Sequence, residues 1–83
     1  MDIFDASPRE KFYDIIFAAN RDIVENELDK LFVRMIALEA LCEKHGVSEG
    51  EIAGFVAENA FEIEQGLNDI YIGMSGDILS QNE

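Results

Sequence analysis

The fold is decided by the stretch LCEKHGVSEGE, residues 41–51, which places a glycine turn between two helix signals. Gly46 can take the left-handed conformation that ends a helix, and Val47 can pack back on the last turn, as in a Schellman motif. Ser48 followed by Glu51 is a capping box, which opens a new helix. The stretch therefore predicts two helices that meet at a tight corner.

The residues before this corner follow helical spacing. Along residues 24–45, apolar side chains recur at alternating steps of four and three, the spacing of a coiled-coil seam. We predict that this seam packs helices together through Leu28, Leu31, Met35, Leu38 and Cys42.

A separate helix is expected at the N-terminus. The run SPRE, residues 7–10, supplies an N-cap, a proline at the first helical position and an acid at the third. Extending the apolar face of this helix onward would bury Asn26 and Lys30, which favours a break within 20–26. A single bent helix over 8–45 is the alternative, because no glycine or proline forces a break there.

A further helix should follow the corner and end at Gly73 or Gly76. Its inner face is predicted to contain Ile52, Phe55, Val56, Ile63, Leu67 and Ile70. The sequence thus predicts an all-α fold, a three-helix bundle with a helix-turn-helix-like corner at 41–55. We expect one helical domain over 1–76 and a flexible tail over 77–83, with oligomerisation as one way to complete the bundle.

Composition limits the classes of partner. The 83 residues include 18 acids and 6 bases, for a net charge of −12. Residues 46–83 contain eight acids and no Lys or Arg, so we expect neither direct nucleic-acid binding nor attachment to an anionic membrane. Cys42, the single cysteine, cannot form an internal disulfide, and no apolar run is long enough to span a membrane. These features predict a cytoplasmic protein.

Motifs for catalysis or metal binding are missing from the sequence. There is no cysteine pair and no Cys/His cluster of the kind that holds zinc. His45 is the only histidine, and it lies next to a helix end, where a cation is favoured. We therefore predict no enzymatic activity, no metal and no cofactor.

Residues 41–48, with Ile52 and Phe55 after them, resemble the helix-turn-helix of DNA-binding regulators. Cys42 stands where that family usually has alanine. The resemblance implies that the helix after the turn would read DNA. That helix displays Glu49, Glu51 and Glu58 with no base, whereas phosphate contacts need Lys or Arg. We therefore favour a structural corner and keep a DNA-binding regulator as the weaker alternative.

The acids after the corner form a pattern of their own. At 100° per residue, a ridge of four acids falls within about 40° on one helix face. The acidic ridge consists of Glu51, Glu58, Glu62 and Asp69. It either keeps the protein soluble or binds a basic surface, and its spacing also suits mimicry of DNA phosphates. Phe61 and Ile72 lie opposite the inner face and are predicted to contact a partner.

Surplus apolar surface beside unbalanced negative charge leads to our main hypothesis. It is a non-catalytic helical protein-binding module that acts as inhibitor, adaptor or chaperone of a larger protein, or self-associates as a homo-oligomer. Small phage proteins of the anti-CRISPR and anti-sigma type exemplify this class, and Asp22-Ile23-Val24-Glu25-Asn26 looks like a segment of a helical phage anti-sigma protein. The expected partner is a protein with a basic or apolar groove. The alternative hypothesis is a DNA mimic that blocks a nucleic-acid-binding complex.

Overall fold

The computed structural model describes residues 7–82, and these form four α-helices. In chain order they are α1 (Pro8–Ala18), α2 (Arg21–Lys44), α3 (Glu49–Glu58) and α4 (Ala60–Gln81). No strand occurs within residues 7–82. The predicted all-α fold is confirmed, with four helices in place of the three predicted.

Serine caps begin two of the helices, as predicted. The Ser7 hydroxyl accepts a hydrogen bond from the Glu10 backbone N–H at 3.1 Å, and Pro8 occupies the first helical position of α1. The Ser48 hydroxyl accepts from the Glu51 backbone N–H, also at 3.1 Å. Each cap satisfies one of the backbone donors that the first turn of a helix leaves without a partner.

The break between α1 and α2 lies at Ala19 and Asn20. Both residues leave the helical conformation, with ψ angles of 166° and 128°. The Asn20 side chain then caps α2, since its Oδ1 accepts from the Asp22 backbone N–H at 2.9 Å. Two separate helices are therefore correct, and the break falls at the start of the predicted range.

The corner between α2 and α3 is a Schellman motif. Val47 N–H donates to the Cys42 carbonyl at 2.8 Å, and Gly46 N–H donates to the Glu43 carbonyl at 3.2 Å. Gly46 has a φ of +74°, the left-handed conformation that the motif requires. The predicted corner at 41–55 is confirmed in its hydrogen bonds.

The expected single helix after the corner is divided at Asn59. This residue has φ −118° and ψ 36°, and both its backbone N–H and its side-chain Nδ2 donate to the Phe55 carbonyl at 2.9 Å. A short amide side chain that bonds to nearby backbone competes with the helical pattern. This local bond explains why α3 ends at Glu58 and α4 begins at Ala60.

The prediction of a flexible tail is wrong for residues 77–81, which continue α4. Ile78 is the most buried large side chain in the described residues, with only 1% of its surface exposed. Neither Gly73 nor Gly76 ends the helix, because packing of Ile78 outweighs the roughly 1 kcal/mol that a glycine costs inside a helix. Residue 83 lies outside the described range.

The small core lies between α1 and α4. Phe12 of α1 is 5% exposed, and its ring centre is 5.3 Å from that of Tyr71 on α4. Helix α2 touches α4 at fewer places, and α3 touches it least. The chain is consequently open, with a radius of gyration of 15.5 Å against about 12 Å for a compact domain of this length.

The core position of Phe12 can be tested against an exposed phenylalanine of the same helix. Phe12→Ala should reduce the free energy of unfolding by about 3–5 kcal/mol, because it leaves a cavity against α4. Phe17, which is 85% exposed, is the matched control, and Phe17→Ala should change stability by about 0.5 kcal/mol or less. Urea denaturation followed by circular dichroism measures both, and equal losses would contradict the described core.

The corner can be tested with two glycines that respond in opposite directions. Gly46→Ala should destabilise the protein by about 1 kcal/mol, since φ is positive there and strain alone decides the effect. Gly54→Ala lies inside α3, where an added methyl group meets nothing within 4 Å. It should stabilise the protein by about 0.5–1 kcal/mol. Thermal denaturation gives the sign of each change, and a stabilising Gly46→Ala would contradict the left-handed corner.

Candidate protein-binding surface

The second half of α2 carries an apolar surface that its own chain does not cover. Every residue over 31–41 is exposed. The large apolar side chains among them are Leu31, Phe32, Val33, Met35, Ile36, Leu38 and Leu41. Because an α-helix has 3.6 residues per turn, these positions point to all sides of the helix. Single exposed apolar residues are ordinary, but a contiguous group of this kind indicates a binding surface.

The predicted packing seam is covered only at its two ends. Leu28 and Cys42 are partly buried, whereas Leu31, Met35 and Leu38 are exposed. We predicted that this seam holds the helices of one chain together. Its middle residues are exposed, so the prediction fails for them. Helix α4 meets α2 at Glu27, through Gln81, and shares a groove with Leu31 and Arg34. Even so, Leu31, Met35 and Leu38 keep 38–49% of their surface exposed.

Apolar residues of α3 and α4 extend this surface. Phe61 is 73% exposed and Ile72 is 59% exposed, in agreement with the outward position predicted for both. Most of the predicted inner face is exposed as well, namely Ile52, Phe55, Val56, Leu67 and Ile70, while Ile63 is partly buried. We define the apolar surface as the exposed apolar residues of 31–41 together with those of α3 and α4.

The acidic ridge is not one continuous line of side chains. All four of its residues are exposed, but Glu51 and Glu58 lie on α3 and Glu62 and Asp69 lie on α4. The prediction of one ridge assumed an uninterrupted helix, and the break at Asn59 divides it into two pairs. Within each pair the residues are seven apart and so lie on the same side of their helix.

A buried carboxylate that sequence analysis missed joins α2 to the end of α4. Glu27 is 7% exposed and accepts hydrogen bonds from Gln81 Nε2 at 2.9 Å and from Lys30 Nζ at 3.2 Å. The bond from Gln81, followed by the bond from Lys30, holds the pKa of the Glu27 carboxyl below its usual value. Nearby, the Asn20 backbone N–H donates to Asn82 Oδ1 at 2.9 Å. These bonds fix the C-terminal turn of α4 beside the start of α2.

Cys42 lies near several acids at the end of α2. It is a free, partly buried thiol in a groove that also contains Glu39, Glu43 and Glu49. Within residues 7–82, no group of three or more His, Cys, Asp or Glu side chains is arranged to hold a metal ion. None of the helices formed by these residues has an apolar stretch long enough to cross a membrane.

These features define a small all-α domain with an open arrangement of helices. Residues 4–83 match a family described as a domain of unknown function, DUF2018, and the chain belongs to this family. It is similar to a solved structure titled as that of the hypothetical protein Cj0539 from Campylobacter jejuni. The two share 36% sequence identity and a TM-score of 0.89, over 96% of this chain and 100% of the other. No curated protein matches the chain. The open fold is thus shared with a relative over nearly the whole length.

The bonds of Glu27 predict a specific pH dependence of stability. Because its pKa is lowered in the folded protein, the ionised carboxylate stabilises the fold above the usual value of 4.5. This contribution is lost as the pH falls through the lowered pKa. Glu27→Gln can still accept a bond from Gln81 but cannot titrate, so its stability should fall less steeply below about pH 4.5 than that of the wild type.

The control for this prediction is Glu25→Gln, which removes one exposed carboxylate from the same helix. Glu25 pairs with Arg21, and both side chains are more than half exposed. Stability of this variant should keep the steep decline of the wild type below pH 4.5. Urea midpoints between pH 3 and pH 7 measure the three profiles, and parallel profiles for all three proteins would contradict the role of Glu27.

Proposed function

We propose that the chain is a non-catalytic helical module that binds protein through the apolar surface. The observation that supports this proposal is the exposure of apolar side chains on all sides of α2 over 31–41. A helix that is apolar all round is normally enclosed by other elements. Since the described residues of its own chain do not enclose it, another polypeptide is the natural cover.

The size of the apolar surface fits a stable complex only if α3 and α4 take part. Full burial of one large apolar side chain contributes about 1.5–3 kcal/mol, and the seven on α2 are already about half covered. Their remaining burial would contribute roughly 5–10 kcal/mol, whereas association costs about 4–15 kcal/mol in lost freedom. Contacts of Phe61, Ile72 and their neighbours would supply the difference. The proposed binding surface therefore includes all three helices.

Charge favours a partner that places basic groups around its apolar contact. Residues 46–83 carry eight acids and no Lys or Arg, and the acidic pairs on α3 and α4 are exposed. Complementary charges at the rim of an interface mainly raise the association rate and exclude wrong partners. An inhibitor, an adaptor and a chaperone would all use such a surface. DNA mimicry has weaker support, because the four ridge acids do not follow one helical line.

Capture of binding partners tests the proposal directly. Tagged protein in lysate of the source cells should retain a protein partner in washes at about 0.15 M and about 0.5 M salt, because apolar contacts survive short screening lengths. Ile36→Asp should abolish this capture by placing a charge in the apolar surface. Phe17→Asp is the matched control, since Phe17 is exposed and lies on α1, which is not among the helices that make up that surface. Mass spectrometry identifies the retained proteins.

A different result would support the alternative. Loss of a nucleic-acid-handling partner at 0.5 M salt, together with normal capture by Ile36→Asp at 0.15 M salt, would favour DNA mimicry over apolar binding.

The acidic pairs make a separate prediction about association rates. Glu58→Lys combined with Glu62→Lys should slow binding of the captured partner at about 0.05 M salt, roughly tenfold, with little change in the dissociation rate. The difference from wild type should shrink at 0.5 M salt. Surface plasmon resonance measures both rates. Unchanged association at low salt would remove the acidic ridge from the binding surface.

A further inference from the structure

We infer that the end of α4, residues 77–82, is a latch that opens as a unit about a hinge at residues 73–76. Opening releases the end of α4 from α1 and α2 and leaves the rest of the fold in place. The latch concerns contacts within one chain, so it stands whether or not the apolar surface binds a partner. Its support comes from the hydrogen bonds between helices, the glycines of the hinge and a buried hydroxyl without a partner.

Two adjacent residues at the end of α4 make the hydrogen bonds that join distant parts of the chain. Gln81 Nε2 donates to Glu27 Oε1, and Asn82 Oδ1 accepts from the Asn20 backbone N–H, both at 2.9 Å. The other hydrogen bonds of caps, turns and side chains in residues 7–82 join positions no more than five apart. Movement of a single helical turn therefore breaks every hydrogen bond between α4 and the start of α2 within the described residues.

The hinge divides the buried face of α4 into two parts. Tyr71, Ser75 and Ile78 follow one another at steps of four and three, so they lie on the same face of the helix. Tyr71 lies before the hinge, and its ring centre is 5.3 Å from that of Phe12 on α1. Ile78 lies after the hinge and is 1% exposed. Opening therefore exposes Ile78 to water, while Tyr71 keeps its contact with α1.

The two glycines of the hinge weaken α4 without serving its packing. A methyl group added at Gly73 or at Gly76 would meet nothing within 4 Å, so no close neighbour requires glycine there. The backbone does not require it either, because Gly46 is the one described glycine with a positive φ. Glycine is a poor helix former, and helices bend at neighbouring glycine and serine residues. Both glycines therefore favour opening at this point of the helix.

A buried hydroxyl between the two glycines also opposes closure. The Ser75 hydroxyl oxygen is buried and has no hydrogen-bond partner in the described residues. Such a group costs free energy, which is recovered when water reaches it. The closed latch is thus favoured by the burial of Ile78 and by two hydrogen bonds, and opposed by the hinge. A balance of this kind gives a minor open state, and anything that binds one state better shifts the population towards it.

Amide hydrogen exchange of the full chain, followed residue by residue with NMR, tests whether the latch opens as a unit. The amides of residues 77–81 should share one protection factor, roughly tenfold or more below those of residues 67–72 on the same helix. Simple fraying of a helix end would instead give protection that falls steadily towards the last residue. A steady fall would overturn the inference, and so would equal protection of the two groups of amides.

Replacement of the glycines tests the hinge with a variant that keeps the fold. Gly73→Ala combined with Gly76→Ala should slow exchange of the amides of 77–81 roughly tenfold or more, because alanine favours the helix at both positions. Gly54→Ala is the matched control, since it makes the same change in α3 and its added methyl group also meets nothing within 4 Å. It should leave exchange of 77–81 unchanged. Unaltered exchange in the double variant would overturn the hinge.

Loss of an attachment should have the opposite effect. Gln81→Ala removes the donor to Glu27 and should speed exchange of the amides of 77–81 roughly tenfold. Gln65→Ala is the control, because Gln65 is an exposed glutamine of α4 outside the latch. It should leave this exchange unchanged. Equal exchange in wild type and Gln81→Ala would overturn the attachment.

The buried hydroxyl can be tested in the same way. Ser75→Ala removes the oxygen that has no partner and should slow exchange of the amides of 77–81 roughly tenfold. Ser80→Ala makes the same change at an exposed position, where the hydroxyl donates to the Asp77 carbonyl. It should alter the exchange by about twofold or less, the effect of helix propensity alone. Faster exchange in Ser75→Ala would show that the hydroxyl favours closure and would overturn its role in the hinge.

Discussion

The incomplete burial of α2, the longest helix, shapes the rest of the structure. Helix α2 has apolar side chains on every side over 31–41, and these side chains are about half exposed. Exposure of these side chains to water costs free energy, because apolar surface is more stable when it is buried. The open shape and the exposed apolar surface go together with this incomplete burial, and we propose that another polypeptide supplies the missing contacts.

Hydrogen bonds fix the end of α4 beside the start of α2. Glu27 receives bonds from Gln81 and Lys30, and Asn82 accepts from the Asn20 backbone. Such bonds are directional, so they fix how α4 approaches α2 while contributing little burial. The aromatic contact between Phe12 and Tyr71 fixes the other side of α4. Together these contacts fix the position of α4 relative to α1 and α2.

Helix caps and turns could be predicted from the sequence, whereas the packing between helices could not. The serine caps and the Gly46 corner depend on residues three or four positions apart, so that their predicted hydrogen bonds are present. The break at Asn59 was missed because asparagine is tolerated inside many helices, and only its bond to Phe55 shows which conformation prevails. Glu27 was missed because its partner Gln81 is 54 positions away in sequence, and the burial of Ile78 likewise depends on packing between helices, which local spacing does not reveal. The seam on α2 was recognised as apolar, but spacing cannot tell which chain covers it.

The position of Ile78 has a consequence for the order in which the protein forms. Phe12 and Ile78, the two buried apolar residues of the described chain, belong to α1 and α4. Contacts between such distant segments form slowly, since a long loop must close before any burial is gained. During synthesis α1 must therefore wait for nearly the whole chain to leave the ribosome. Until then Phe12 of α1 has no partner from α4, and its ring stays in water on the growing chain.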